Sequence, residues 1–191
     1  MVWNNDQVSK TETEKILEIA RECLSLEGDY VEMGCYKGDT SLMLAEILKD
    51  TDKRLWIYDS FEGLPEKTKQ DESAAGENFR GGELYVTKRE VKERFLRANL
   101  PVPVIKKAWF NELTLDDLPE KIAFSFLDGD FYESIRDSLK LVEDKMVKGG
   151  VIIVHDYNNP ALPGVAKAVD EWLVRKKFDI IFYESVAVIT A

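Results

Sequence analysis

Five polar side chains stand at the ends of four short apolar runs. Glu32 lies near the end of Tyr30-Val31-Glu32-Met33, and Asp59 closes Leu55-Trp56-Ile57-Tyr58. Asp128 closes Ile122-Ala123-Phe124-Ser125-Phe126-Leu127, and His155 and Asp156 close Val151-Ile152-Ile153-Val154. Asp128 opens an Asp128-Gly129-Asp130 triplet, so several carboxylates collect near one histidine and repel one another unless a cation joins them. Oxygen-rich sets of this kind suit Mg²⁺, Ca²⁺ or Mn²⁺. A cation held by Asp128, His155 and Asp156 would lower the pKa of a hydroxyl bound to it. The plain alternative is a set of loop-capping aspartates with no metal. His155 is the only histidine of the chain, and three roles stay open for it: a satisfied structural residue, a metal ligand, or a general base titrating near neutral pH.

The other chemistry sits at the first glycine turn. Glu32-Met33-Gly34-Cys35-Tyr36-Lys37-Gly38-Asp39-Thr40 reads as strand end, turn and helix start. A dinucleotide site needs G-x-G-x-x-G so that pyrophosphate reaches the helix N-terminus. Here the spacing is Gly34-x-x-x-Gly38, Tyr36 is bulky, and Glu32 would repel a pyrophosphate. A ligand with a positively charged amino-acid end suits these residues better. Asp59, followed by Ser60 and Phe61, is placed to accept the hydroxyls of a ribose, or else to serve as a turn aspartate. Trp109-Phe110 follow the third strand and either stack on a purine or fill core.

These residues need a scaffold that brings strand ends together. Apolar spacing predicts helices over 10–25, 40–49 (Asp39 or Thr40 as N-cap), 88–98, 133–147 and 163–176, the last with Pro163 at its start. Strands are predicted at 30–34, 55–59, 103–107, 122–127 and 151–154, with Gly149-Gly150 stopping the helix before the last of these. The tail Phe178–Ala191 reads as two more strands joined by a tight turn. Alternating strands and helices imply a doubly wound α/β fold, Rossmann-like, with a mostly parallel seven-stranded sheet, helices on both faces and an antiparallel edge strand. Ligands then bind outside the carboxyl ends of the strands, where Glu32, Asp59, Asp128, His155 and Asp156 all fall.

At 191 residues the chain is expected to form one domain, with 1–27 an N-terminal helical segment. Residues 62–87 are polar, glycine-containing and poor in core residues, which suggests a mobile loop over the site. The net charge of −10 argues against nucleic acid or anionic membrane as partner. No apolar run reaches the ~18 residues of a membrane span, and no leader-like core stands at the start. Cys23 and Cys35 suggest neither a disulfide framework nor a metal pair, so a reducing cytoplasm is the expected setting. A homodimer is compatible with all of this.

The segments VEMGCYKGDTS, YDSFEGLP, KAWFNELTLDDLP, FLDGDFYESIRDSL and GGVIIVHDYN, in this order over roughly residues 28–175, resemble the macrocin O-methyltransferase family. A weaker similarity runs to catechol O-methyltransferase in the glycine turn and the FLD strand end. The resemblance implies S-adenosylmethionine as cofactor, Mg²⁺ or another divalent metal, and transfer of methyl to a sugar or vicinal-diol hydroxyl of a small molecule. It implies that Glu32, Gly34, Tyr36 and Thr40 hold the methionine part. Asp59, with Ser60 and Phe61, falls at the ribose, and Trp109, beside Ala108 and Phe110, near the adenine. Asp128 would serve cofactor, metal and base, with Asp156 at the metal. The chain departs from the family at one position: relatives commonly show Asp-Asp-Tyr after strand five, whereas this chain has His155-Asp156-Tyr157. Two other classes stand beside this one, an NAD(P)-type oxidoreductase on a related fold and a non-catalytic nucleoside-binding module.

Overall fold

The computed structural model describes residues 7–191 except 78, 175 and 177. Residues 1–6 of the expected N-terminal segment, residue 78 of the 62–87 loop and residue 175 of the expected helix 163–176 thus lie outside the described residues; that helix ends at Leu173, short of the expected 176.

Seven strands form one sheet in the order β3-β2-β1-β4-β5-β7-β6. They are β1 (Asp29–Met33), β2 (Leu55–Asp59), β3 (Val104–Lys107), β4 (Ile122–Leu127), β5 (Met146–Val154), β6 (Asp179–Tyr183) and β7 (Val186–Thr190). The first five pair in parallel. β7 pairs antiparallel with both β5 and β6, so the last strand inserts inside the sheet and β6 forms the edge. The strand order reverses between β1 and β4, which is where a doubly wound sheet opens a crevice.

Among the described residues, five helices cover the two faces: α1 (Lys10–Glu22), α2 (Asp39–Leu48), α3 (Lys88–Ala98), α4 (Tyr132–Glu143) and α5 (Pro163–Leu173). Alternation along each strand feeds two cores. Tyr30, Phe124 and Phe126 point into one with Ile16, Leu42, Leu44 and Phe95 of α1, α2 and α3. Val31, Met33 and Leu127 point into the other with Ile135, Leu139, Val165 and Val169 of α4 and α5. No described helix is long and apolar enough to cross a membrane.

Three local expectations are corrected. The N-cap of α2 is Gly38, with φ 80°, and not Asp39 or Thr40; the chain turns into the helix through a left-handed residue that glycine adopts without strain. α4 ends at Glu143, and Gly149-Gly150 lie inside β5 instead of stopping a helix. There the β4–β5 register shifts, Gly149 has φ 80°, and Gly149 and Gly150 exchange backbone bonds with Ala191; glycine in a strand commonly marks such an irregularity. α1 ends at Glu22 and continues as a single 3-10 turn, Cys23–Ser25.

Residues 62–87 form a loop cinched at its base, where Leu64 N–H donates to Glu83 and Gly82 N–H to Leu64. Two 3-10 turns, Lys69–Asp71 and Ala74–Gly76, break its course. Asp71 is fully buried. It accepts from Thr68 and from the Tyr132 N–H that opens α4, at 2.7 Å. Its Oδ1 leaves no room for a side chain at Gly164 of α5.

Candidate functional site

The strand ends open into one cleft of about 1050 Å³, the open solvent at its mouth included. Of the nine residues expected to hold a cofactor, Glu32, Gly34, Tyr36, Thr40, Asp59, Ser60, Trp109 and Asp128 line it. Phe61 does not: it is buried in the α1–α3 core, and its contribution here is a backbone N–H donated to Asp59 Oδ1 at 2.7 Å. Phe110 joins Trp109 on the wall, whereas Ala108 packs against the α4–α5 core. His155 and Asp156 complete the opposite side.

Backbone strain concentrates here. Among the described residues, seven non-glycine residues have positive φ, and four of them, Tyr36, Leu84, Asp130 and Asp156, line the cleft. Such conformations cost about 1–3 kcal/mol each and gather at functional sites. Gly34 is required for another reason. With φ 89°, it lies so close to β4 that a Cβ would stand 2.0 Å from the Asp128 carbonyl oxygen. It lets the ends of β1 and β4 meet, so its role includes strand packing as well as access for a ligand.

Glu32 is 1% exposed and accepts a hydrogen bond from Ser41 of α2. Burial pushes its pKa up to about 8; the Ser41 hydroxyl works against this, and the charges of Asp128, Asp59 and Asp39 add to it. Asp59 Oδ2 accepts the Cys35 N–H at 2.8 Å and the Tyr36 N–H at 3.3 Å. With the Phe61 N–H on Oδ1, three of about four acceptor positions of this carboxylate are taken. Asp59 therefore ties the glycine turn to β2 and keeps about one position for a ligand hydroxyl, fewer than the two expected for a ribose. Ser60 Oγ is committed to its own turn, donating to Gly63 and accepting from Glu62.

Across the cleft, adjacent parallel strands β4 and β5 deliver Asp128, His155 and Asp156. One ligand atom from each lies within 4.8 Å of the others. His155 Nδ1 is 3.0 Å from Asp128 Oδ1 and 3.1 Å from Asp156 Oδ2. The second oxygen side of Asp156 is held by Asn159 Nδ2 at 2.9 Å. His155 Nε2 faces Glu12 Oε2 at 3.8 Å. Burial disfavours a charged ring at His155, but Asp128 above all, with Asp156 and Glu12, outweighs it and holds the pKa well above the ordinary histidine value. Glu12 is correspondingly held well below the usual carboxylate range, chiefly by His155 and against its burial. Asp130, beside the cluster, is pushed well above that range by burial and by Asp128 and Asp156.

The donor set fits a divalent cation: two carboxylates and one imidazole nitrogen converge, and the far nitrogen faces a carboxylate, as ligating histidines usually arrange. The imidazole in the set suits Fe²⁺ or Zn²⁺, and the two carboxylates suit Mg²⁺ or Mn²⁺. Sequence reasoning did not find Glu12 or Asn159. Ser9-x-x-Glu12 is a helix capping box, which accounts for Glu12 locally and hides its contact with a residue far along the chain. Asn159 belongs to an Asn-Asn-Pro turn whose composition signals only a loop.

The family model described as Macrocin-O-methyltransferase (TylF) matches residues 10–182. The demethyldecarbamoylnovobiocin O-methyltransferase of Streptomyces niveus is 33% identical over 183 residues, covering 87% of this chain and 67% of that protein. The 8-demethyl-8-(2,3-dimethoxy-alpha-L-rhamnosyl)-tetracenomycin-C 4'-O-methyltransferase of Streptomyces olivaceus is 35% identical over 140 residues, covering 68% of this chain and 53% of that protein. The chain thus spans between about half and two thirds of the length of these relatives. Among solved structures, the O-methyltransferase NovP superposes with a TM-score of 0.78 at 26% identity, covering 91% of this chain and 78% of that one.

Proposed function

The chain belongs to the macrocin O-methyltransferase family of S-adenosylmethionine-dependent enzymes, and from that premise we propose that it methylates a hydroxyl of a small molecule, a sugar or vicinal diol, with the assistance of a divalent cation. The observation that carries this reading is the division of one cleft by two pairs of strand ends. β1, β2 and the turn into α2 present Glu32, Tyr36, Thr40 and Asp59, and the ends of β4 and β5 present Asp128, His155 and Asp156.

When bound, S-adenosylmethionine supplies an electrophilic methyl group, so alignment and removal of the acceptor proton are left to the protein. On the first side, Glu32 is a buried carboxylate short of positive charge and suits an ammonium group. Asp59 offers its remaining acceptor position to a ribose hydroxyl, and Trp109 and Phe110 offer flat faces to a base. On the second side, a divalent cation held by Asp128, His155 and Asp156 would supply the charge that lowers an acceptor hydroxyl's pKa. His155 stands between carboxylates and orients them. Asp128, at the end of β4 and 3.0 Å from His155 Nδ1, is the group proposed to take the acceptor's proton. Dinucleotide chemistry is disfavoured by charge: among the described residues, Lys37 is the only lysine or arginine on a wall that carries Glu32, Asp39, Asp59, Asp128, Asp130 and Asp156.

The same reading takes residues 1–191 as one domain, 62–87 as the segment that moves to admit ligands, and a reducing cytoplasm as the setting. The test is methyl transfer to a panel of sugar glycosides and vicinal diols, read as S-adenosylhomocysteine released. Asp156→Ala is expected to abolish transfer and leave cofactor affinity essentially intact, and EDTA is expected to silence the wild type. Equal loss of transfer and cofactor affinity in Asp156→Ala counts against the assignment. Activity surviving exhaustive EDTA removes the metal from it.

A further inference from the structure

We propose that Glu12, on the N-terminal helix, is a positioning residue of the acceptor side: it fixes the ring of His155 and so makes docking of α1 a condition for an assembled Asp128–His155–Asp156 cluster. The role builds on the reading of that cluster given above.

Glu12 lies in the first turn of α1, where a glutamate ordinarily stays in water. Here it is 5% exposed, and the His155 ring it faces is 4% exposed. A carboxylate taken out of water needs partners on both oxygens, and Glu12 has them. Oε2 accepts the Ser9 N–H at 3.2 Å, closing the capping box, and turns toward His155 Nε2 at 3.8 Å. Oε1 accepts the Ser185 N–H at 2.9 Å and the Ser185 hydroxyl. Ser185 belongs to the β6–β7 turn, which also receives α1 through Glu184, the acceptor for Ser9 and Thr11 hydroxyls at 3.0 and 2.7 Å. Immediately before the helix, Gln7 and Val8 line the cleft.

The helix start, the β6–β7 turn and the strand end of β5 therefore meet at a single carboxylate. His155 Nδ1 faces two carboxylates, and its ring needs something on Nε2 to set its rotation. Phe126, at 6.2 Å between ring centroids, bounds the ring without directing it. Glu12 is the charged group on that side.

The experiment uses the chain's single histidine, whose imidazole ¹⁵N and ¹H signals need no assignment among others. Glu12→Gln keeps a residue that closes a capping box and removes the charge opposite Nε2. The His155 ring signals are expected to move, S-adenosylhomocysteine affinity by calorimetry is expected to hold, and Mn²⁺ affinity by electron paramagnetic resonance is expected to fall by about 10- to 100-fold. Ser185→Ala loosens the same helix contact with the carboxylate retained, and is expected to leave the ring signals in place. Glu12→Asp, should the glutamine variant not fold, keeps the charge one methylene further away and is expected to move the ring signals less, in the same direction. Unmoved ring signals in Glu12→Gln overturn the proposal. So does a Ser185→Ala variant that moves them equally, which would make Glu12 a helix anchor only. Wild-type protein that takes no Mn²⁺ removes the metal from the function proposed above, and the ring signals alone then decide the role of Glu12.

Discussion

Glu32 offers a sharp quantitative test of the cofactor side. Its carboxyl is 1% exposed and its pKa lies at about 8 against an ordinary 4.5. A carboxyl whose pKa is higher folded than unfolded destabilises the fold as pH rises through that interval. The stability it forfeits is nil below pH 4.5 and complete above about pH 8, where the gap corresponds to about 5 kcal/mol as an upper figure. Glu32→Gln is thus expected to stabilise the ligand-free protein increasingly from pH 5 to pH 8. An ammonium group docking on Glu32 reverses the balance, because it pairs with the ionised form. At pH 7 the ligand must expel a proton that costs about 1.4 kcal/mol, a factor of ten, to remove. Affinity for S-adenosylhomocysteine is expected to climb about tenfold per pH unit below pH 8 and then level off. Calorimetry near pH 7 in two buffers of different ionisation enthalpy is expected to show close to one proton released on binding, and none in Glu32→Gln. Binding with no proton exchange in the wild type, or with proton uptake, would refute the placement of the ammonium at Glu32.

Two further outcomes test the frame that holds the site. Gly34→Ala places a Cβ 2.0 Å from the Asp128 carbonyl at φ 89°, a backbone collision that nothing flexible relieves; it is expected to cost more than the ~3 kcal/mol of ordinary damaging substitutions, seen as loss of the cooperative thermal transition. Asp71→Asn places an amide against the Thr68 N–H that Asp71 now accepts at 2.9 Å. It is expected to lower stability by about 1–3 kcal/mol, with Tm falling by about 2–4 °C per kcal/mol and protease cleavage within 62–87 accelerating.

The strands that frame the cleft are legible because burial on both faces makes them continuous apolar runs, and the polar residues ending those runs are conspicuous by contrast. Eight of nine expected cofactor residues line the cleft for that reason. What escaped depends on partners distant in sequence. Gly149-Gly150 follow a helix and read as its stop, but pairing with Ala191 and a shift against β4 draw them into a strand. Phe61 sits beside Asp59 in sequence, but the turn it occupies, φ 50°, sends its ring to the core. The sequence reads Asp59 as a ligand-binding acid, and its partners within the structure are backbone groups, the Cys35 and Tyr36 amides. Glu12 satisfied a local motif completely, which left no residual signal of its second partner.

The most direct test of the central claim is a side-by-side calorimetric titration of the wild-type chain with S-adenosylhomocysteine and with NAD. The expected result is saturable one-to-one binding of S-adenosylhomocysteine, abolished by filling the cleft with Thr40→Trp, and no binding of NAD. Binding of NAD in preference, or of neither ligand by the folded protein, would contradict the reading of this cleft as a methyl-donor site.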